Sequence, residues 1–357
     1  YAIFDYSLTN IRYLQSQGLN GRQIFYVPMS CLPGCDQDSD ENEEPAYDAL
    51  FYGDVNDRRR RFLKAIARRY RINVLTEVYG ETLYAQLKNA KLVVNLHYYP
   101  DALLETPRIY ECLSHGCLVV SEMSADFEDH RALEGIVDFF AYDDVDDLLD
   151  KIDYWLSDED RRVKKIQSNR RALLELPDWF EYYFLRFLLS SDDISFETFY
   201  DLAGPHIRFE DNRICLGLPE AVERRLAFVN HNPINFQYFP GLVHSLPRVG
   251  CGLSYKFIMR KAQEHGFEQL IVCEDDVEFP DGWQKRFGDI QSYLSAQPAD
   301  WDVFAGLIAQ LNEGARVDKV ATYGDTKFVH MDKMVSMVFN IYNRSFFHRI
   351  ATWDDRN

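Results

Sequence analysis

The feature that most constrains this chain is a repeated change of period. Over residues 48–176, short apolar runs alternate with amphipathic helical patterns. DALFYGD (48–54) reads as a buried strand closed by a glycine turn, and DRRRRFLKAIARRY (57–70) as a basic helix. RINVLTEVYG and ETLYAQLKNA give the next strand and helix. KLVVNLHYY is a strand, PRIYECLSHG a helix closed by Gly116, and CLVVSE a strand. DVDDLLDKIDYWL and DEDRRVKKIQSNRRALLEL are late helices. Strand and helix in strict turn imply a parallel sheet covered on both faces, and right-handed crossovers make it doubly wound. Ligands in such sheets lie beyond the carboxyl ends of the strands. That places Gly53, Gly80, His97 and Glu105 near one crevice.

A second alternating pattern starts after residue 211. RICLGL is a strand, PEAVERRLAFVNH a helix and INFQYFPG a strand with a turn. CGLSYKFIMRKAQEHG is a helix, FEQLIVCEDDVEFP a strand running into an acidic turn, and DGWQKRFGDIQSYLSA a helix. WDVFAGLI and MVSMVFNIYNRSFFHRIATW follow. The expected organisation is α/β, with two Rossmann-like domains: residues 1–190, a crossing segment at 191–211, and residues 212–357. A length of 357 residues, 46% of them hydrophobic, suffices for two cores.

The net charge of -18 argues against wrapping nucleic acid or lying on an anionic membrane. It leaves room for a local basic pocket. DQDSDENEE and YDDVDDLLDKID read as solvated acidic surface, since neither has the spacing of a calcium loop. No apolar run is long enough to span a bilayer and no signal peptide opens the chain. The chain begins at Tyr1 inside apparent structure, so an upstream domain is expected. Seven cysteines form no zinc pattern; Cys31/Cys35 and Cys112/Cys117 are the closest pairs. Reduced thiols and a cytoplasmic location are the expectation.

The acidic turn carries the chemistry. The apolar run 270–273 ends in Glu274, Asp275 and Asp276. Adjacent anions near a core repel unless paired or bound to a metal. Period-two alternation puts Glu274 and Asp276 on one side and Asp275 on the other. Two carboxylates on one side suit Mg²⁺ or Mn²⁺, which share oxygen ligands with substrate phosphates. The bland alternative is a capped turn, with Asp275 or Asp276 as the cap and Glu274 solvated.

The surrounding stretch RVGCGLSYKFIMRKAQEHGFEQLIVCEDDVEFP resembles family 25 glycosyltransferases, the lipopolysaccharide and collagen galactosyltransferase type. The likeness rests on Gly250-Cys251, Ser254-Tyr255, the acidic triplet, and Arg224-Arg225 after the strand RICLGL. Tyr255 stands where the family has His. The resemblance covers residues 213–353 and implies a GT-A fold. Leu216, Gly217 and Leu218 would border a nucleotide, Ser254 would lie near the donor and Arg224 near its phosphates. The triplet would serve metal and diphosphate, with Glu274 and Asp276 as ligands and Asp275 and Asp276 in the catalytic centre. His330 and Asp332 are the candidates for a later metal ligand. Asp325, Asp332 and Asp354 are candidates for the base of a direct displacement, Asp332 being preferred.

FYGDVNDRRRRFL and VVNLHYYPDALLETPRIYECLSHGCLVVSE resemble the nucleotide-binding half of GT-B glycosyltransferases, over residues 5–176. That likeness implies Gly53 under the diphosphate and Glu111 on the ribose. Arg58 and Arg108 could pair the diphosphate without metal. The plain alternative for residues 58–61 is a solvated helix face. Leu103 stands where retaining members carry a second Glu; Glu105 is nearest.

Together these imply a transferase moving a sugar from a nucleotide sugar, UDP-galactose being an example, to a saccharide of a surface glycan or lipopolysaccharide. The opposing expectation is a non-catalytic nucleotide- or glycan-binding scaffold. A metal phosphohydrolase lacks a second acidic or histidine cluster for a two-metal site.

Overall fold

The structure is a computed structural model describing residues 2–19, 23–31, 44–176, 178–232, 234–311 and 313–354. Most of the acidic run at 36–44, together with Cys35, lies outside the described residues. The chain divides into two compact units. One comprises residues 4–10 and 27–180, the other residues 1–3, 11–26 and 181–357. The first elements are β1 (Ile3–Asp5), α1 (Leu8–Ser16) and β2 (Ile24–Tyr26).

The first unit is built on β3 (Ala49–Tyr52), α2 (Asp57–Ala67), β4 (Ile72–Leu75), α3 (Gly80–Lys88) and β5 (Val93–Asn95). It continues through α4 (Thr106–Ser114), β6 (Val119–Glu122), β7 (Asp138–Phe140), α5 (Val145–Leu156) and α6 (Glu159–Glu175). The strands form one parallel sheet in the order β4-β3-β5-β6-β7. Successive residues of β3 serve opposite cores. Ala49 and Phe51 pack with Phe62, Ile66, Leu148 and Ile152, whereas Leu50 and Tyr52 pack with Leu83, Ile109 and Leu113. This two-sided burial is why the strands read as continuous apolar runs. Asn56 caps α2 by accepting from the Arg59 N–H, and Asp144 caps α5 by accepting from Asp146 and Asp147.

The second unit follows α7 (Trp179–Ser190) and α8 (Phe196–Ala203) with β8 (Arg213–Gly217), α9 (Val222–His231), β9 (Gln237–Pro240) and α10 (Pro247–Glu264). Then come β10 (Gln269–Glu274), α11 (Trp283–Ala296), β11 (Val303–Ala305), β12 (Val317–Tyr323), β13 (Thr326–Met331), β14 (Phe339–Asn343) and α12 (Arg344–Ala351). Its sheet is mixed, in the order β11-β14-β10-β8-β9. Strands β10, β8 and β9 are parallel, and β14 is antiparallel to both its neighbours. One face packs Cys215, Ile271, Cys273 and Ile341 against Phe228 of α9 and Tyr293 and Leu294 of α11. On the other lies an aromatic cluster in which Tyr182 meets Phe199, Phe239 and Phe257.

Both sheets are therefore Rossmann-like α/β arrangements. Residues 196–203, inside the segment expected to cross between domains, form α8, and its Phe196, Phe199 and Ala203 are buried. A short helix rich in aromatics carries too few residues for its period to show. Residues 317–331, for which the apolar pattern implied no element, form the two-stranded β12–β13 hairpin, turning at Gly324 with φ +57°.

Candidate functional site

Each parallel region has a point where the strand order reverses, and open α/β sheets bind ligands there. In the first unit β3 is followed by β4 on one side and then by β5 on the other. In the second, β8 is followed by β9 and then, across it, by β10. Gly53 lies immediately after β3, and Gly217 is the last residue of β8.

Gly53 has φ +126°, a left-handed conformation that an L side chain resists. A Cβ there would meet Arg108 Nη2 at 3.0 Å and Arg59 Nη1 at 3.5 Å, so two guanidinium groups close on one glycine. Arg108 is oriented by Asn95, whose Oδ1 accepts from its Nη1 at 2.9 Å, and stacks over Tyr52. Asn95 in turn donates to Glu105 Oε2 (3.0 Å), and His97 Nδ1 lies 2.9 Å from the same oxygen. His97 Nε2 and Arg108 Nε are buried without a hydrogen-bond partner among the described residues. Burial and the neighbouring Arg108 pull Arg59 down to about 10. Burial opposes the Glu105 carboxylate, yet His97, Arg108 and Asn95 hold it below the ordinary range. Two adjacent like charges facing a glycine make a spot that favours an anion. Glu111, one helical turn after Arg108, accepts from Tyr52 Oη at 2.8 Å.

Arg58 is not part of that cradle. It donates to both oxygens of the fully buried Glu122, from Nη1 at 2.9 Å and from Nη2, and to the His97 carbonyl. Glu122 also accepts from the His97 and Asp143 N–H groups. The pair fixes the loop after β5. Arg59, which the sequence reading left on a solvated face, is 3% exposed. Its spacing to Phe62, Leu63 and Ile66 carried the signal, since i, i+3, i+4 and i+7 share a helix face.

The acidic corner of the second unit is organised by Arg224 of α9. Its Nη2 bonds Asp275 Oδ1 and lies 3.1 Å from Asp276 Oδ2. Burial pushes the Glu274 carboxyl up, and the charge of Asp276 adds to it. Burial likewise raises Asp275, with Arg224 acting the other way. Asp275 is 4% exposed and turned inward, whereas Asp276 faces solvent. Among the described residues no three His, Cys, Asp or Glu side chains gather as a metal-holding set. His330 is accordingly not assembled with Glu274 and Asp276; it sits on β13, with Nε2 2.7 Å from Tyr293 Oη. Asp332 accepts from the Arg316 N–H at 2.8 Å, and Asp325 pairs with Lys285 at 2.9 Å on the surface.

Ser254, expected near a donor, is 1% exposed. Its Oγ donates to the Gly250 carbonyl (2.7 Å) and accepts from the Leu242 N–H (2.7 Å), so it holds α10 to the loop after β9. Tyr255 is buried and donates to the Met337 carbonyl at 3.3 Å. Leu216 is buried against Gly241, and Leu218 is exposed. A further pair was not foreseen. Fully buried Arg186 on α7 bonds both oxygens of Glu220 (2.6 and 3.0 Å) and the Gly241 carbonyl, fixing the β8–α9 loop.

Residues 49–179 match the family described as glycosyl transferase-like. The match takes in the whole parallel sheet with Gly53, Arg108 and Glu111. No curated protein matches the chain. The chain thus carries a glycosyltransferase-like domain, and among the described residues no helix is long and apolar enough to cross a membrane.

Proposed function

We propose that this protein is a nucleotide-sugar-dependent glycosyltransferase, with a GT-B-type nucleotide-binding half at 1–190 and a GT-A-type domain of family 25 character at 212–357. The observation that carries the reading is the Gly53 cradle inside the matched residues, where Arg108 and Arg59 converge on backbone that has no side chain. A diphosphate needs such a place: glycine admits it and guanidinium groups neutralise it. Glu111 would take the ribose. The donor is a UDP-hexose such as UDP-galactose, and the acceptor is a saccharide of a surface glycan or lipopolysaccharide.

In the second domain Glu274 and Asp276 fit a shared Mg²⁺ or Mn²⁺. Their carboxylates crowd one corner against a single guanidinium, and a metal that also binds phosphate needs only one or two protein carboxylates. Such an ion would supply charge stabilisation to a departing diphosphate. Arg224 pairs with Asp275 and Asp276 and would turn to the phosphates when they arrive.

The test is transfer or hydrolysis of UDP-galactose by the full chain with Mn²⁺. Turnover should fall at least tenfold in Asp276→Ala, and nucleotide affinity should fall in Arg108→Met. Undiminished turnover in EDTA would remove the metal from the reading, and no binding of UDP, GDP or their hexose derivatives would remove the reading itself. A second reading, a non-catalytic nucleotide-binding scaffold, draws on Leu103 standing where a second carboxylate is expected and on Glu105 being engaged by His97 and Asn95. Nucleotide binding without transfer or hydrolysis would select it.

A further inference from the structure

Gln15 of α1 and Tyr26 of β2 belong to the second unit, and both reach the loop that leads into α9. Gln15 Nε2 donates to the Glu220 carbonyl at 2.7 Å, across 205 positions of chain. The Tyr26 N–H donates to Glu220 Oε1 at 3.0 Å, across 194. Arg12 pairs with Glu223 at 2.5 Å, so the same segment also touches the first turn of α9. β2 is firmly seated. Ile24 and Phe25 are buried, Phe25 meets Phe187 of α7 edge-on at 5.0 Å, and Tyr26 meets Tyr183 at 5.1 Å.

Glu220 is 7% exposed. Arg186 alone would satisfy its charge, yet Oε1 also accepts from Tyr26 and the carbonyl accepts from Gln15. Its placement matters because α9 starts with no side-chain cap at Ala221, so whatever holds Glu220 decides where the first turn lies. Arg224 stands in that turn, where the helix dipole opposes a cation. The acidic corner keeps it there: Nη2 bonds Asp275 Oδ1 and lies 3.1 Å from Asp276 Oδ2. A guanidinium that spans two carboxylates depends on where its backbone sits.

We propose that Gln15 and the Tyr26 N–H are positioning groups for the second crevice. Through Glu220 they set the first turn of α9, and so aim Arg224 at the acidic corner and at an arriving diphosphate. This rests on the second domain being a nucleotide-sugar site, as proposed above. It makes α1 and β2 working pieces of that domain, although the alternation of elements placed residues 1–190 in the other.

The experiment is calorimetry with UDP and Mn²⁺ on the full chain carrying Arg108→Met, which weakens the first crevice. The quantity read is the Mn²⁺-dependent affinity that Asp276→Ala abolishes. Gln15→Ala removes one half-buried donor, so the fold is kept, and the affinity is expected to fall about three- to tenfold. Gln15→Lys, whose ammonium can still donate to the Glu220 carbonyl, should restore it. In a chain that already carries Arg224→Met, Gln15→Ala should cost nothing further, because the two act in series. A loss of stability would not show that non-additivity. If Gln15→Ala binds UDP as its parent does, or if its loss simply adds to that of Arg224→Met, the grip is packing and the proposal is overturned while the transferase reading stands. If the parent shows no Mn²⁺-dependent UDP binding, the nucleotide reading of the second domain fails, and the positioning role with it.

Discussion

The two crevices share a topology and differ in charge. In each, the first strand of a parallel set ends at a glycine, and the sheet order reverses beside it. Around Gly53 the near side chains are Arg59 and Arg108; around Gly217 they are Asp275 and Tyr238, with Glu274 and Asp276 beyond. The sheet supplies a place, and the residues just past the strands decide what sign of charge it takes. A basic cradle can hold a diphosphate directly. An acidic corner needs a cation between itself and the same group. The difference also shows in how each loop is fixed, since each unit has a buried ion pair behind its crevice: Arg58 with Glu122 in one, Arg186 with Glu220 in the other.

Those pairs give the largest expected effects. Glu220→Gln leaves the guanidinium of Arg186 buried without its counter-charge, which should cost about 3–5 kcal/mol in urea denaturation; Glu122→Gln should cost less, because Arg58 keeps Asp143 at 3.3 Å. Each should loosen its own unit, read by hydrogen exchange; equal loosening of both would break the comparison. Glu122 sits below the ordinary carboxyl range, because Arg58 and two N–H groups outweigh its burial. Its contribution is therefore present above the unfolded carboxyl value and is lost as pH falls through the lowered folded one. Glu122→Gln should flatten the acid side of the stability profile.

Next comes Arg108→Met, which should weaken nucleotide binding in the first crevice by about 1.5–3 kcal/mol, with EDTA making no difference there. A metal requirement at that crevice would erase the contrast in charge. Chelation should instead act on turnover in the second domain. Manganese titration of Asp276→Ala should show a weakened response, and an unaltered one would place the cation elsewhere.

The smallest effect serves as a control. Glu197 on α8 is held down to about 2 chiefly by Arg260, with Lys256 assisting against partial burial. Its side chain is 58% exposed, so solvent screening leaves the pair only about 0.5 kcal/mol. That stability is present above the unfolded carboxyl value near 4.5 and disappears as pH falls towards 2. Glu197→Gln should shift acid melting slightly in the second unit and leave nucleotide binding alone.

The strands and helices of the first unit were legible because burial on both faces forces continuous apolar runs, and the glycine turn at Gly53 followed from its place after one of them; Arg108 and Glu111 entered only through the likeness to GT-B transferases. Arg59 was hidden among four consecutive arginines, where charge suggested solvent and only helical spacing said otherwise. Tyr238 lay unmarked in a strand, since a tyrosine there reads as core. The β12–β13 hairpin escaped because most of its residues are exposed and form no apolar run. His330 and Asp332 looked free for chemistry in the sequence; Tyr293 and Arg316, distant in the chain, engage both.

The sequence by itself determined the alternation of elements, the two glycines at strand ends, and the acidic triplet after an apolar run, because each is a matter of neighbouring residues and their period. Only the tertiary structure decided which arginines face a crevice, which carboxylate of the triplet turns inward, and which charges are already paired. Those outcomes depend on residues tens of positions apart meeting across strands and helices, and electrostatic pairing at that range leaves no local pattern to read.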